Sequence, residues 1–262
     1  MNSSQLALSN LSVSFGGVKA LTDVSLNVPK NSVVGLIGPN GAGKTTVFNC
    51  ISGLVKSDSG KFEFDGAERA FPKPHELVDL GITRTLQGVG LFNELSVLQN
   101  VMVGADKKYK PNFVKELFGL SGKVEANLKE RAEEALAWVG GASLIDNKPS
   151  ELSYPDSKRV ALARALVINP SLLMLDEPAA GLGQDDIDAL ASLIKQLKRR
   201  CSILIVEHHV DFVREISDSV NVLNFGKLIA SGSYDEVKKN PAVIEAYLGH
   251  TDNPDENSKL GA

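Results

Sequence analysis

Gly38-Pro39-Asn40-Gly41-Ala42-Gly43-Lys44-Thr45-Thr46 decides the reading of this chain. It fills every fixed position of the pattern G-x-x-x-x-G-K-[ST]. Ahead of it, Ser32-Val33-Val34-Gly35-Leu36-Ile37 is a short apolar run with β-branched residues, which predicts a buried strand. Behind it, residues 45–54 read as a helix. Strand, glycine loop, helix is the context that the motif requires. Glycines let the backbone turn its N–H groups inward and approach phosphate oxygens closely. The helix that follows aims its positive end at the same place. Lys44 then belongs between the β- and γ-phosphates, and the Thr45 hydroxyl on Mg²⁺. The alternative, a glycine-rich turn that binds nothing, is outweighed by the complete motif and its flanks.

Composition bounds the rest. A chain of 262 residues holds one large domain or two modest ones, and 43% hydrophobic residues are ample for a core. The formal net charge of −4 argues against a basic nucleic-acid binder. Cys50 and Cys201 make no disulfide framework and have no metal-ligand spacing, so they read as buried thiols. No stretch reaches bilayer length, and Met1-Asn2-Ser3-Ser4-Gln5 has no signal-peptide character. The expectation is a soluble, cytosolic chain that meets a membrane only through a partner.

Residues 6–15 and 18–28 alternate apolar and polar around Gly16-Gly17, which predicts an antiparallel pair with a turn. Phe15 at that turn suits stacking on a flat base or a plain hairpin aromatic. A strand is expected over 61–66, a short helix near 75–78, and another strand over 82–87, ending at Gln87. Residues 89–157 read as a helical insertion: 95–103 is helical, and Val124, Leu128, Ala132, Ala135, Leu136 and Val139 recur at helical spacing. Lys107-Lys108-Tyr109-Lys110-Pro111 reads as a solvated basic loop. The α/β alternation then resumes with a strand over 171–177, a helix over 185–197, a strand over 202–209 and a hairpin over 219–232. The fold class is therefore α/β: a P-loop NTPase core, an N-terminal antiparallel β-subdomain and an inserted helical subdomain. One domain over 5–250 and a disordered polar tail over 251–262 are expected.

A phosphate-loop enzyme needs an acid on a neighbouring strand to hold Mg²⁺ through water. Asp176 follows four apolar residues at a strand's carboxyl end, where ligands bind in open α/β sheets. Glu177 can take a proton from an attacking water. His208 ends the next strand and suits the γ-phosphate. Gln87 suits metal or water sensing.

Together these residues resemble the ATP-binding subunits of ABC transporters over about residues 5–250. The resemblance implies ATP and Mg²⁺ as cofactors. It makes Phe15 the adenine-stacking position, Gly38 to Thr46 the Walker A loop and Gln87 the Q-loop glutamine. Leu172 to Asp176 becomes Walker B, Glu177 the catalytic carboxylate and His208 the switch histidine. Phe15-Gly16-Gly17-Val18-Lys19-Ala20-Leu21, Gly81-Ile82-Thr83-Arg84-Thr85-Leu86-Gln87, Glu177-Pro178-Ala179-Ala180-Gly181-Leu182 and residues 240–249 resemble the branched-chain amino acid importer group, some members of which carry urea or amides. The partners implied are a second, often non-identical ATP-binding subunit, two membrane permease subunits and a periplasmic solute-binding protein. The implied location is the cytoplasmic face of the inner membrane. Two other functions compete: a soluble, non-transport ABC ATPase on ribosomes or DNA, and a largely non-hydrolysing regulatory subunit.

The chain departs from that family at one loop. The family's signature is L-S-G-G-Q, or L-S-Y-G-Q in this group; here it is Leu152-Ser153-Tyr154-Pro155-Asp156. By resemblance, this loop closes on a γ-phosphate held by the other subunit, with Ser153 among its contacts. Pro155 has no N–H to give, and Asp156 brings a negative charge. Losing one charge-assisted hydrogen bond costs roughly 1.5–3 kcal/mol, about tenfold or more in affinity. Ser153, Pro155 and Asp156 also fit a helix cap, so the fold itself need not suffer. Gly183 stands where the family usually has Asp or Asn, and His209 where Asp is common. The expectation is an asymmetric heterodimer.

Overall fold

The computed structural model describes residues 3–85, 88–105 and 121–248. The strands, in chain order, are β1 (Ser4–Phe15), β2 (Val18–Pro29), β3 (Val33–Ile37), β4 (Ser59–Phe64), β5 (Ala67–Arg69), β6 (Ile82–Arg84), β7 (Leu172–Asp176), β8 (Ser202–Val206), β9 (Ser219–Asn224) and β10 (Lys227–Gly232). The longer helices are α1 (Lys44–Ile51), α2 (Val97–Val103), α3 (Ser121–Trp138), α4 (Tyr154–Leu166), α5 (Gln184–Leu197), α6 (Val210–Ile216) and α7 (Pro241–Leu248). Single helical turns lie at Leu77–Leu80 and Tyr234–Val237. Packing divides the chain into two units, residues 1–74 with 198–262, and residues 75–197.

In the first unit, the Gly16-Gly17 turn joins β1 to β2, with Phe15 opposite Val18. β4 pairs antiparallel with the other side of β1, and β5 adds to β4. Leu6, Leu8, Leu11 and Val13 of β1 are buried, as are Leu21, Val24, Leu26 and Val28 of β2; the alternation is broken between Leu8 and Leu11 and between Leu21 and Val24, where the pairing register shifts. β3 pairs in parallel with both β8 and β9, and β10 pairs antiparallel with β9. All five residues of β3 and of β8 are buried, which is why both read as unbroken apolar runs. Ile37, Val213, Val220, Val222, Val237 and Val243 form one apolar cluster beside this sheet.

The second unit holds β6 and β7, paired in parallel with Ile82 opposite Leu172. α2, α3 and α4 pack on one another. α2 starts at a full capping box, Ser96 with Gln99. The α3 stripe is a packing face: Ala132, Ala135 and Leu136, with Val139 just beyond, are buried and Leu128 is partly so. α5 buries Ile187, Ala191, Ile194 and Leu197 on one side. Among the described residues between 89 and 157 the chain forms helices and no strand.

Several expected boundaries move, three of them at residues that bear on the site. The helix after the loop ends at Ile51, where the Ser52 hydroxyl donates to the Phe48 carbonyl and closes the last turn. The strand from Ile82 ends at Arg84, and Gln87 lies outside the described residues, as does the basic stretch 107–111. The strand from Ser202 stops at Val206 instead of reaching the histidines. There the Glu207 carboxylate accepts from the amides of His208 and His209, at 2.9 and 3.2 Å, and turns the chain.

Candidate functional site

The phosphate loop is seated in the first unit between β3 and α1. Gly38 has φ +147°, and a Cβ there would lie 2.1 Å from the Leu223 carbonyl oxygen. Only glycine lets the loop approach β9 so closely. At Gly43 (φ +105°) an added Cβ would lie 2.7 Å from Leu21 Cδ2 and 3.0 Å from the Ala20 carbonyl oxygen. The Gly226 amide donates to the Ala42 carbonyl at 2.9 Å, and the Thr22 amide donates to the Gly226 carbonyl at 2.8 Å. Loop, β2 and the β9–β10 turn are thus one hydrogen-bonded block.

Lys44 is buried, and its ammonium donates to the carbonyls of Gly38 (2.6 Å) and Pro39 (2.9 Å). The cation closes the loop on itself. Asn40, Gly41 and Thr45 are exposed, Pro39 and Thr46 half-buried, and Ala42 buried. The amides of Lys44, Thr45 and Thr46 open α1, where a helix leaves its N–H groups without intrahelical acceptors. A curled loop, a buried cation and a helix N-terminus make a donor set that suits phosphate.

His208 is exposed just past β8. Val206, the last residue of β8, pairs beside Leu36 of β3, so His208 follows a strand that neighbours the one leading into the phosphate loop. Phe15 is half exposed at the β1–β2 turn. His209 has a structural role that the sequence did not reveal. Its Nδ1 accepts from the Phe212 amide at 3.4 Å and caps α6. It does there what an Asp would do.

The acids lie in the second unit. Asp176 ends β7 with its side chain 8% exposed, and Arg84 Nη2 donates to its Oδ2 at 2.7 Å from a side chain 11% exposed. The Asp176 amide donates to Thr85 Oγ1 at 3.3 Å, which ties the same strand pair a second time. A cavity of about 260 Å³ opens beside Asp176, walled by Trp138, Pro155, Leu162, Leu190 and Leu193. A buried carboxylate at a strand's carboxyl end suits a hard divalent cation.

Glu177 follows with φ +47°, a left-handed conformation rare for a residue with a side chain. The Lys158 ammonium donates to the carbonyls of Glu177 (3.2 Å) and Pro178 (2.8 Å). Lys158 belongs to α4, the helix that begins in the departed signature loop.

That loop is a helix cap. The Ser153 hydroxyl accepts from the Asp156 amide at 3.2 Å and donates to Asp156 Oδ2 at 2.6 Å. Pro155 sits in the first turn, where its missing N–H costs the helix nothing. Arg159 holds Asp156 Oδ1 at 2.8 Å and Asp186 Oδ1 at 3.1 Å. The negative charge introduced at Asp156 is therefore met by Arg159, and the Ser153 proton is committed inside the loop.

Of the residues singled out in the sequence, Gly38 to Thr46, Phe15 and His208 lie in the first unit and Asp176, Glu177 and Ser153 in the second, while Gln87 lies outside the described residues. Reading from sequence did not mark that division. It passed over Arg84, Lys158 and Arg159. Charged residues in a strand end or a helix read as solvated faces unless their partners are known.

Comparison with known proteins gives the relatives. Residues 21–180 match the family model described as ABC transporter, and residues 227–253 match one described as branched-chain amino acid ATP-binding cassette transporter. The high-affinity branched-chain amino acid transport ATP-binding protein BraF of Pseudomonas aeruginosa is 37% identical over 93% of this chain and 97% of its own. The lipopolysaccharide export system ATP-binding protein LptB of Haemophilus influenzae is 33% identical over 93% and 97%. A solved ATP-binding cassette from an ABC transporter, nucleotide-free, superposes with TM-score 0.82 at 32% identity, covering 94% of this chain and 99% of that one. Another, in its ADP conformation, gives 0.81 at 32%, covering 95% and 100%.

Proposed function

This chain belongs to the ABC transporter family of ATP-binding cassettes, and we propose that it hydrolyses ATP to power an importer of branched-chain amino acids or a related small polar solute. The observation that carries the importer reading is the match of residues 227–253 to the branched-chain amino acid cassette model. General likeness would not suffice, because an export ATPase is 33% identical over nearly the whole chain.

In this reading Gly38 to Thr46 hold the phosphates, with Lys44 moving from its own loop's carbonyls to β- and γ-phosphate oxygens. Phe15 stacks on the base. By the family resemblance Thr45 and Asp176 would hold Mg²⁺ and Gln87 would sense metal or water; the ion would neutralise phosphate charge. Glu177 takes the proton of the attacking water, and His208 steadies the γ-phosphate. The family's membrane subunits are the docking partners, which puts the chain on the cytoplasmic face of the membrane. Among the described residues no helix is long and apolar enough to cross a membrane.

The asymmetric heterodimer is part of the proposal. Pro155 lacks a donor, and Ser153 and Asp156 bond each other at 2.6 Å, so this loop has fewer groups to offer a partner's nucleotide. The site built on this chain's own phosphate loop is then the competent one.

The test is reconstitution. The chain is co-expressed with its neighbouring permease and ATPase subunits, purified by a tag on this chain, and placed in liposomes. ATP-dependent uptake of labelled leucine, or of urea, in the presence of the binding protein is the expected result. Efflux, or ATPase activity with no associated membrane subunit, overturns the importer reading.

A further inference from the structure

The backbone at Glu177 is unusual for its residue type. Its φ of +47° places it in the left-handed region, and the residue that follows is Pro178. A proline fixes its own φ, so the peptide between Glu177 and Pro178 can turn only at Glu177. Such a conformation persists only where neighbours hold it. The two carbonyls that follow the Glu177 Cα, those of Glu177 and Pro178, accept from the Lys158 ammonium at 3.2 and 2.8 Å. The Glu177 carbonyl also accepts from the Ala180 amide at 3.2 Å.

Lys158 is itself braced. Its Nζ lies 5.3 Å from the centroid of the Tyr154 ring, one helical turn earlier on α4. The Tyr154 hydroxyl donates to the Ala180 carbonyl at 3.4 Å. The same ring covers Gly181, where an added Cβ would lie 2.9 Å from Tyr154 Cε1. Two side chains from the start of α4 therefore grip the segment 177–181 along its length.

We propose that Lys158 is a positioning residue for Glu177, fixing the direction of the carboxylate by pinning the two carbonyls that follow its Cα, with Tyr154 holding Lys158 in place. This rests on the reading of Glu177 as the acid that accepts the water's proton. A carboxylate misplaced by about 1 Å loses on the order of a hundredfold in rate, so a backbone brace has something to protect. Because Lys158 touches backbone and not nucleotide, its loss should act on turnover and leave ATP affinity nearly unchanged.

The experiment uses Lys158→Met, which keeps the apolar stem, and Lys158→Arg, which restores donors. On the purified chain, amide hydrogen exchange is followed at Ala180 and Leu182. On the complex carrying the membrane subunits, kcat and KM for ATP are measured. For Lys158→Met, exchange at Ala180 should quicken about tenfold and kcat fall about tenfold, with KM within about twofold, the size expected for losing charge-assisted hydrogen bonds. Lys158→Arg should recover most of both. Unchanged exchange, or quickened exchange with unchanged kcat, overturns the proposal. A rise in KM that matches the fall in kcat/KM overturns it too. Glu177→Gln is run beside them: if it turns over ATP like the parent, the assignment of Glu177 is what fails, and the exchange data still decide whether Lys158 braces the hinge.

Discussion

Arg84 Nη2 donates to Asp176 Oδ2 at 2.7 Å, with both side chains about nine-tenths buried. The acid expected at the metal is thus the acid that an arginine already neutralises. The arrangement gives each of two buried polar side chains a partner, where either one alone would be costly to bury.

That pair makes the first prediction. Removing one partner of a buried ion pair strands the other, at about 3–5 kcal/mol. Arg84→Met should lower unfolding stability by about that amount, and Arg84→Met with Asp176→Asn should recover part of the loss. Urea denaturation of the parent, the single variant and the double variant measures it. An Arg84→Met protein as stable as the parent would show that the pair carries no weight.

The phosphate loop makes the second. Gly38→Ala would set a methyl 2.1 Å from the Leu223 carbonyl oxygen, a backbone atom that cannot step aside cheaply. We expect nucleotide binding to weaken at least about tenfold, with a loss of stability on the order of 1–3 kcal/mol. Titration with a fluorescent ATP analogue gives the first number and thermal unfolding the second. Retention of parental affinity would contradict the seating of the loop against β9.

Restoring the signature tests the asymmetry. In a Glu177→Gln background, Pro155→Gly with Asp156→Gln returns a backbone donor and removes the charge. Light scattering with ATP should show a dimer for the restored protein and a monomer for the Glu177→Gln parent. Equal dimerisation of both sinks the heterodimer argument.

The cysteines give a pH prediction. Burial, helped by the charge of Asp58, pushes the Cys50 thiol up to about 11, and burial pushes Cys201 up to about 12 against the pull of Arg200. The fold favours the neutral thiol. The associated stability is complete below the ordinary value of 9.0 and is lost as pH rises toward about 11 for Cys50 and about 12 for Cys201. At pH 8 a thiol titrating near 11 is ionised in about one molecule in a thousand, so both should resist thiol reagents in the native protein. Labelling with a chromogenic disulfide at pH 8 should be slow until denaturant is added. Fast native labelling of either residue would contradict its burial.

The capping of α6 can be tested as directly. His209→Ala should cost about 1 kcal/mol and His209→Asp almost nothing, because Asp serves equally well as an N-cap. Chemical denaturation of the two variants decides it. Equal losses would mean that the 3.4 Å contact to the Phe212 amide contributes little.

What sequence alone determined is what local chemistry demands. The loop from Gly38 to Thr46 needs glycines where its backbone turns inward, and a strand and helix to either side, so motif and flanks are read together. Buried strands such as β3 and β8 carry their burial in unbroken apolar runs. The helix start at Ser153 was legible because a cap bonds within three residues of itself. The cap at His209 is equally local, yet histidine is not among the preferred capping types, and it passed unread. What the tertiary structure decided is which distant groups meet. Arg84 and Asp176 are 92 positions apart, and Lys158 reaches carbonyls 19 and 20 positions away. A charge in sequence has no visible partner, because the partner is chosen only when strand is laid beside strand and helix against loop. The left-handed turn at Glu177 belongs to the same class: no local preference asks for it, and it stands because α4 holds it.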